Sequence, residues 1–129
     1  MITTESRAVD IARAHVEAWS NHDYEAARKA LSDDVKVTAI STLEGLPKTD
    51  LTGADAYMQG LMQFAATVKP GSAHINASVG DDRNALLLVT VETEGPPFGS
   101  MTLPAARLYR FDDDDKITVE HVVFYAVPN

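Results

Sequence analysis

One arginine stands in an otherwise apolar stripe. Over residues 101–112 the alternate positions Met101, Leu103, Ala105, Arg107, Tyr109 and Phe111 fall on one face of a strand, while Thr102, Pro104, Ala106, Leu108, Arg110 and Asp112 make the more polar face. The alternation predicts that Arg107 points inward. A guanidinium does not shed its charge, so an inward Arg107 requires a carboxylate: a protein acid such as Glu92 or Glu120, or an anionic ligand. A structural ion pair, or a side chain snorkelling to the rim, is the competing account. His15 and His121 also lie on apolar stripes, the first one turn before Trp19 and the second in alternation with Ile117, Val119, Val123 and Tyr125. An imidazole exchanges protons near neutral pH, so both are acid/base candidates; for His15 the alternative is a core-edge histidine satisfied by backbone. A bulge near the Asp-rich turn would reverse the parity of His121. Tyr109 and Tyr57 supply hydrogen-bond donors. Trp19, Met58, Leu61, Met62, Phe64 and Phe124 would wall a pocket, although such a stripe also describes ordinary core.

Other chemistries lack their residues. There is no cysteine, which removes disulfides, thiolate metal sites and a Cys nucleophile. The four histidines show no metal-ligand spacing, and His22 and His74 read as surface residues. Asp112 to Asp115 is a solvated hairpin turn, because consecutive carboxylates cannot wrap a cation as alternating ligands do. No HExxH, phosphate-binding loop, dinucleotide fingerprint or nucleophile elbow is present, and no cofactor is expected.

These residues need elements to hold them. Val9, Ala12, Val16 and Trp19 recur at helical spacing, so a first helix is expected over about Thr4 to Ser20, with Thr4 as its cap. Asn21-His22-Asp23 breaks it, and Asp23 can cap a second short helix that ends at Ser32-Asp33-Asp34. Val35 to Ile40 alternates as a strand, and the irregular stretch after it, through Leu46-Pro47, is a candidate lid. Thr52-Gly53-Ala54-Asp55 has the form of a capping box ahead of a third helix, closed by Lys69-Pro70-Gly71. Four strands then follow: Ala73 to Val79, Ala85 to Glu94, Met101 to Phe111 and Ile117 to Val127. Three helices and a four-stranded meander give an α+β layout, with the helices packed on one sheet face.

The 129 residues make a single domain, 1–129, large enough for a real core. A formal net charge of -8 disfavours nucleic acid and anionic membrane surfaces as partners. The first twenty residues carry charges throughout, unlike a signal core, and no stretch is long enough to span a membrane. A cytoplasmic location is the matching expectation.

The order of elements, together with Ala18-Trp19-Ser20-Asn21-His22-Asp23, Arg110-Phe111 and Lys116-Ile117, resembles the NTF2-like superfamily over roughly Ser6 to Val127. Within it, SnoaL-like polyketide cyclases and ketosteroid isomerases look most similar. The resemblance implies a cone whose helices and curved, mixed or antiparallel sheet enclose a ligand cavity, and a homodimer formed through sheet surfaces. It also places His15 where ketosteroid isomerases carry an oxyanion-hole tyrosine. The positions of their two carboxyl groups correspond here to Ala39 and Arg107, which disfavours that isomerase mechanism. SnoaL-like cyclases often carry Glu-His-Trp-Asp in the last strand, whereas this chain has Glu120-His121-Val122-Val123. Limonene-epoxide-hydrolase-like members need Arg-x-Asp, and the pair here is Arg107-x-Tyr109. The implied function is therefore acid/base chemistry (cyclisation, isomerisation or dehydration) on a small hydrophobic carbonyl or carboxylate compound. Its residues would be His15, Arg107, His121 and Tyr109, with Trp19, Tyr57, Leu61, Phe64 and Phe124 around the ligand. A non-catalytic binding module and a dimeric accessory protein are the alternatives.

Overall fold

A computed structural model of the chain describes residues 6–41, 48–96 and 98–125. Helix α1 (Arg7–Ser20) begins at Ser6, whose hydroxyl oxygen accepts from the Val9 N–H at 3.1 Å and whose O–H donates to the Asp81 carbonyl at 2.7 Å. One side chain thus caps the helix and ties it to the sheet. Thr4, the expected cap, lies outside the described residues, as does the lid segment 42–47. Helix α2 (Tyr24–Lys29) is capped by Asp23, as the sequence predicts.

Strand β1 (Leu31–Ser41) starts four residues before the alternating run. Ser32-Asp33-Asp34, expected to end a helix, lies instead in an irregular part of the strand, where the register shifts between Leu31 and Lys36. Strand β2 (Thr49–Thr52) is not among the expected strands: it is four residues long and at a sheet edge, and although Thr49 and Leu51 alternate inward, its single apolar residue is too little to mark a strand in the sequence. The capping box also does not form. Gly53 occupies the N-cap of α3 (Ala54–Ala65) at φ 98°, ψ 147° with no side-chain cap, and its N–H donates to the Val35 carbonyl at 2.7 Å.

Strands β3 (His74–Gly80), β4 (Asn84–Thr93), β5 (Met101–Phe111) and β6 (Ile117–Phe124) form the expected meander. It is part of a six-stranded sheet in the order β2-β1-β6-β5-β4-β3, mixed because β1 runs parallel to β6. The helices cover one face, where Trp19, Val35, Leu87, Leu103 and Ile117 are fully buried. At Gly80 a Cβ would collide with the Asn84 carbonyl and lie 2.7 Å from Val9, so α1 approaches the sheet there only over a glycine. No described helix is long and apolar enough to cross a membrane.

Strand β6 carries the local irregularity that matters most for the site. Phe111 pairs with Ile117 but Arg110 pairs with Val119, leaving Thr118 as an extra residue. The bulge reverses the parity expected for the rest of β6. Glu120, Val122 and Phe124 pair with the inward-facing Tyr109, Arg107 and Ala105, while His121 is exposed.

Candidate functional site

Between α3 and strands β1, β2, β5 and β6 lies an open cavity of about 540 Å³, within the usual range for small-molecule sites. Val37, Leu51, Leu61, Phe64, Val122 and Phe124 line it with apolar surface, and the exposed Gln59 and Gln63 lie at its rim. Its polar groups include Arg107, Glu120 and Tyr57, each buried. They come from three elements: β5 supplies Arg107 by simple alternation, β6 supplies Glu120 because of the bulge, and α3 supplies Tyr57 one turn into the helix.

Arg107 is inward as predicted, and one of its two expected protein partners holds it. Its Nη1 donates to Glu120 Oε2 at 3.2 Å, with side chains only 5% and 2% exposed. The guanidinium carbon also lies 4.8 Å from the Trp19 ring centroid, 5.7 Å from Phe64 and 5.9 Å from Phe124. Three aromatic faces and one carboxylate therefore fix the cation. Burial works against the charge of Arg107, but Tyr109, Glu120 and Tyr57 outweigh it and raise its pKa.

Glu120 Oε1 is hydrogen-bonded to the Tyr57 hydroxyl, which in turn meets His15 Nε2 at 3.0 Å. His15 Nδ1 donates to the Ala27 carbonyl at 3.1 Å. Burial lowers the pKa of His15; the Glu120 charge and the Ala27 carbonyl oppose that shift, and Arg107 adds to it. Burial, then the Glu120 charge, push the Tyr57 and Tyr109 phenols well above their usual range, so both stay protonated. Trp19 Nε1, Arg107 Nε and the Tyr109 hydroxyl are buried donors without a protein acceptor, which leaves spare donor capacity around this cluster.

Several expected placements change. Tyr57, Leu61, Phe64, Phe124 and Arg107 do line the cavity. His15 is not among its lining residues: it sits behind Tyr57, buried in the core. Trp19 and Tyr109 are likewise core residues rather than cavity walls, as is Met58, while Met62 is 44% exposed. His121, expected on the apolar face, turns outward and bonds the Thr38 hydroxyl at 2.6 Å. Glu120 takes the inward place that the uninterrupted alternation assigned to its neighbour. His22 is exposed, and its Nε2 donates to the Ala65 carbonyl at 2.9 Å, a tie between the α1–α2 break and the end of α3. Asp112 accepts from the Asp114 and Lys116 N–H groups, as a hairpin turn requires. Among the described residues no group of three or more His, Asp and Glu side chains could hold a metal ion.

The fold has many counterparts among solved structures. A Kribbella flavida protein of 25% identity superposes with a TM-score of 0.72, covering 90% of this chain and 84% of that one. An NTF2-like protein of unknown function from Cytophaga hutchinsonii, 18% identical, gives 0.68 over 95% and 94%. An LEH-like epoxide hydrolase of M. tuberculosis, 20% identical, gives 0.69 over 91% and 81%. A search of the curated proteins found no match. The SnoaL-like domain matches residues 12–120, from the middle of α1 to Glu120 itself. On that match, and on the three helices packed against a mixed sheet, the chain belongs to the SnoaL-like family of NTF2-like folds.

Proposed function

We propose that the protein binds a small, mostly apolar carbonyl compound in the cavity and moves protons on it, with Glu120 as acid and base and Arg107 polarising the carbonyl oxygen. The observation that carries this reading is the placement of a buried Arg107–Glu120–Tyr57 cluster in a cavity otherwise walled by apolar side chains. A carboxyl group in such a setting can take a proton from a carbon next to a carbonyl, and a fixed guanidinium can stabilise the enolate that results. A carbonyl oxygen needs only a donor, and Arg107 keeps Nε without a protein acceptor after Nη1 is taken by Glu120. His15 and Tyr109 support this chemistry from behind, and His121 takes no part in it.

The test uses proton exchange and so needs no knowledge of the natural substrate. A panel of apolar ketones in D2O is followed by mass spectrometry with and without the protein. Accelerated α-deuteration by wild type, reduced by a factor of about 10² to 10⁴ in Glu120→Gln, is the expected result. If no ketone exchanges while an apolar probe such as anilinonaphthalene sulfonate still binds, the non-catalytic binding module is the better reading. The mutual neutralisation of Arg107 and Glu120 is the observation that favours that second account. For the assembly, we propose a homodimer formed on the outer face of the sheet.

A further inference from the structure

The hydrogen bonds behind the pocket do not match the proton count that their residues carry separately. The Ala27 carbonyl can only accept, so His15 Nδ1 must carry a proton and donate to it. In a neutral imidazole Nε2 is then a bare lone pair, and it faces the Tyr57 hydroxyl at 3.0 Å. The same hydroxyl is bonded to Glu120 Oε1. A phenol has one proton, and here it has two acceptors to serve. With neutral His15 and ionised Glu120, one of the two contacts would set lone pair against lone pair. The three side chains are only 2–3% exposed, so solvent does not relieve the conflict.

We propose that His15, Tyr57 and Glu120 together hold one proton more than a neutral imidazole, a phenol and a carboxylate. The extra proton is shared between His15 and Glu120 through Tyr57, which makes His15 a positioning residue that sets whether Glu120 meets the pocket as acid or base. In one arrangement Glu120 Oε1–H donates to the Tyr57 oxygen, and the Tyr57 proton goes to His15 Nε2. In the other, His15 Nε2–H donates to the Tyr57 oxygen, and the Tyr57 proton goes to Glu120 Oε1. Between them two protons shift one place along the chain: each breaks one bond and forms the next, and none enters or leaves.

The surrounding groups weigh on both sides. Arg107, from β5, donates to Glu120 Oε2 and favours the carboxylate, yet it also repels an imidazolium at His15. Burial disfavours the imidazolium, whereas the Glu120 charge and the Ala27 carbonyl, from α2, favour it. Tyr109, also from β5, presents a neutral ring edge-on to His15 at 6.0 Å between centroids, and it is the inward cross-strand neighbour of Glu120, whose charge acts on its phenol. The consequence for turnover rests on Glu120 being the acid and base of the pocket, but the proton count rests on hydrogen bonds alone.

The measurement is NMR of the full chain at pH 7 without ligand, with 15N-labelled histidine and 13C-labelled glutamate. The fraction of imidazolium at His15 and the fraction of carboxylic acid at Glu120 should sum to about one, and His15 Nδ1 should be protonated throughout. In Glu120→Gln the amide N–H satisfies Tyr57, so His15 should become fully neutral with its proton on Nδ1. In Tyr57→Phe the link is cut and the sum should fall well below one. A sum near zero in the folded wild-type protein overturns the proposal, and so does a Tyr57→Phe variant whose sum stays at one. No ligand enters the measurement. A failure here leaves the pocket reading standing, and a failure of ketone exchange leaves the sum unchanged.

Discussion

Arg107 and Glu120 illustrate why a buried ion pair is poor evidence of stability and good evidence of a site. Removing two charges from water is expensive, and their attraction returns roughly what that desolvation costs, whereas losing one partner strands the other. Arg107→Met should therefore destabilise the protein by about 1–3 kcal/mol, because Glu120, with the proton it shares with His15, is left with Oε2 buried and unbonded. In the double variant Arg107→Met/Glu120→Leu the unbonded carboxyl is gone, and Tyr57 can give its single proton to His15 Nε2. Urea unfolding should find the double variant more stable than Arg107→Met alone. Simple additivity of the two single changes would show that the pair is not coupled. The same reasoning complicates any ligand test that uses Arg107→Met by itself, since lost binding and lost fold would coincide.

At the scale of elements, Gly53 and Thr118 decide where the site residues go. Gly53 holds φ 98° and ψ 147°, a region essentially reserved for glycine, and so turns the chain from β2 directly into α3, which carries Tyr57. Gly53→Ala should cost about 1–3 kcal/mol through backbone strain alone, since a Cβ there would meet nothing closer than the Asp33 carbonyl at 3.9 Å. A thermal unfolding midpoint within error of wild type would contradict this. Thr118 explains why half the site was legible in the sequence and half was not. Arg107 lies in an unbroken run of eleven strand residues, so counting by two finds its face. Glu120 lies just beyond an extra residue, and counting by two from Ile117 puts His121 inside in its place. The sequence signalled only that the Asp-rich turn was a place where such a slip could occur. Tyr57 was legible as part of a helical stripe, but its contact with Glu120, 63 residues away, was not. β2 escaped because four residues with one apolar side chain show no periodicity, and the start of α3 because Thr52 and Asp55 have the form of a capping box that Gly53, at the N-cap itself, replaces.

The whole molecule has two sheet faces with different tasks. The inner face holds the core and the pocket, while the outer face leaves Ile40, Val79, Leu86, Leu88 and Leu108 between 36% and 57% exposed. Their register makes a surface of them: Leu86 pairs with both Leu108 and Val79, and Ala106 pairs with both Leu88 and Val123. Val123 pairs in turn with Ile40, so the apolar row runs from β3 across to β1. Scattered apolar side chains on a surface need no explanation, but a continuous row on a chain of net charge -8 does. A second copy of the same face is the partner we propose, since apolar rows can pair without bringing like charges into register. His121 and Thr38 continue the neighbouring row from Leu108 and would then serve the interface rather than catalysis. Sedimentation velocity should find wild type as a concentration-dependent dimer. Leu86→Lys/Leu108→Lys should be monomeric, with stability per site changed by no more than about 0.5 kcal/mol, because both side chains are already more than a third exposed. The same variant should keep the pocket intact and bind an apolar probe as wild type does, since the substituted positions point away from the cavity. Wild type that sediments as a monomer at every concentration would leave the outer row without the partner proposed for it.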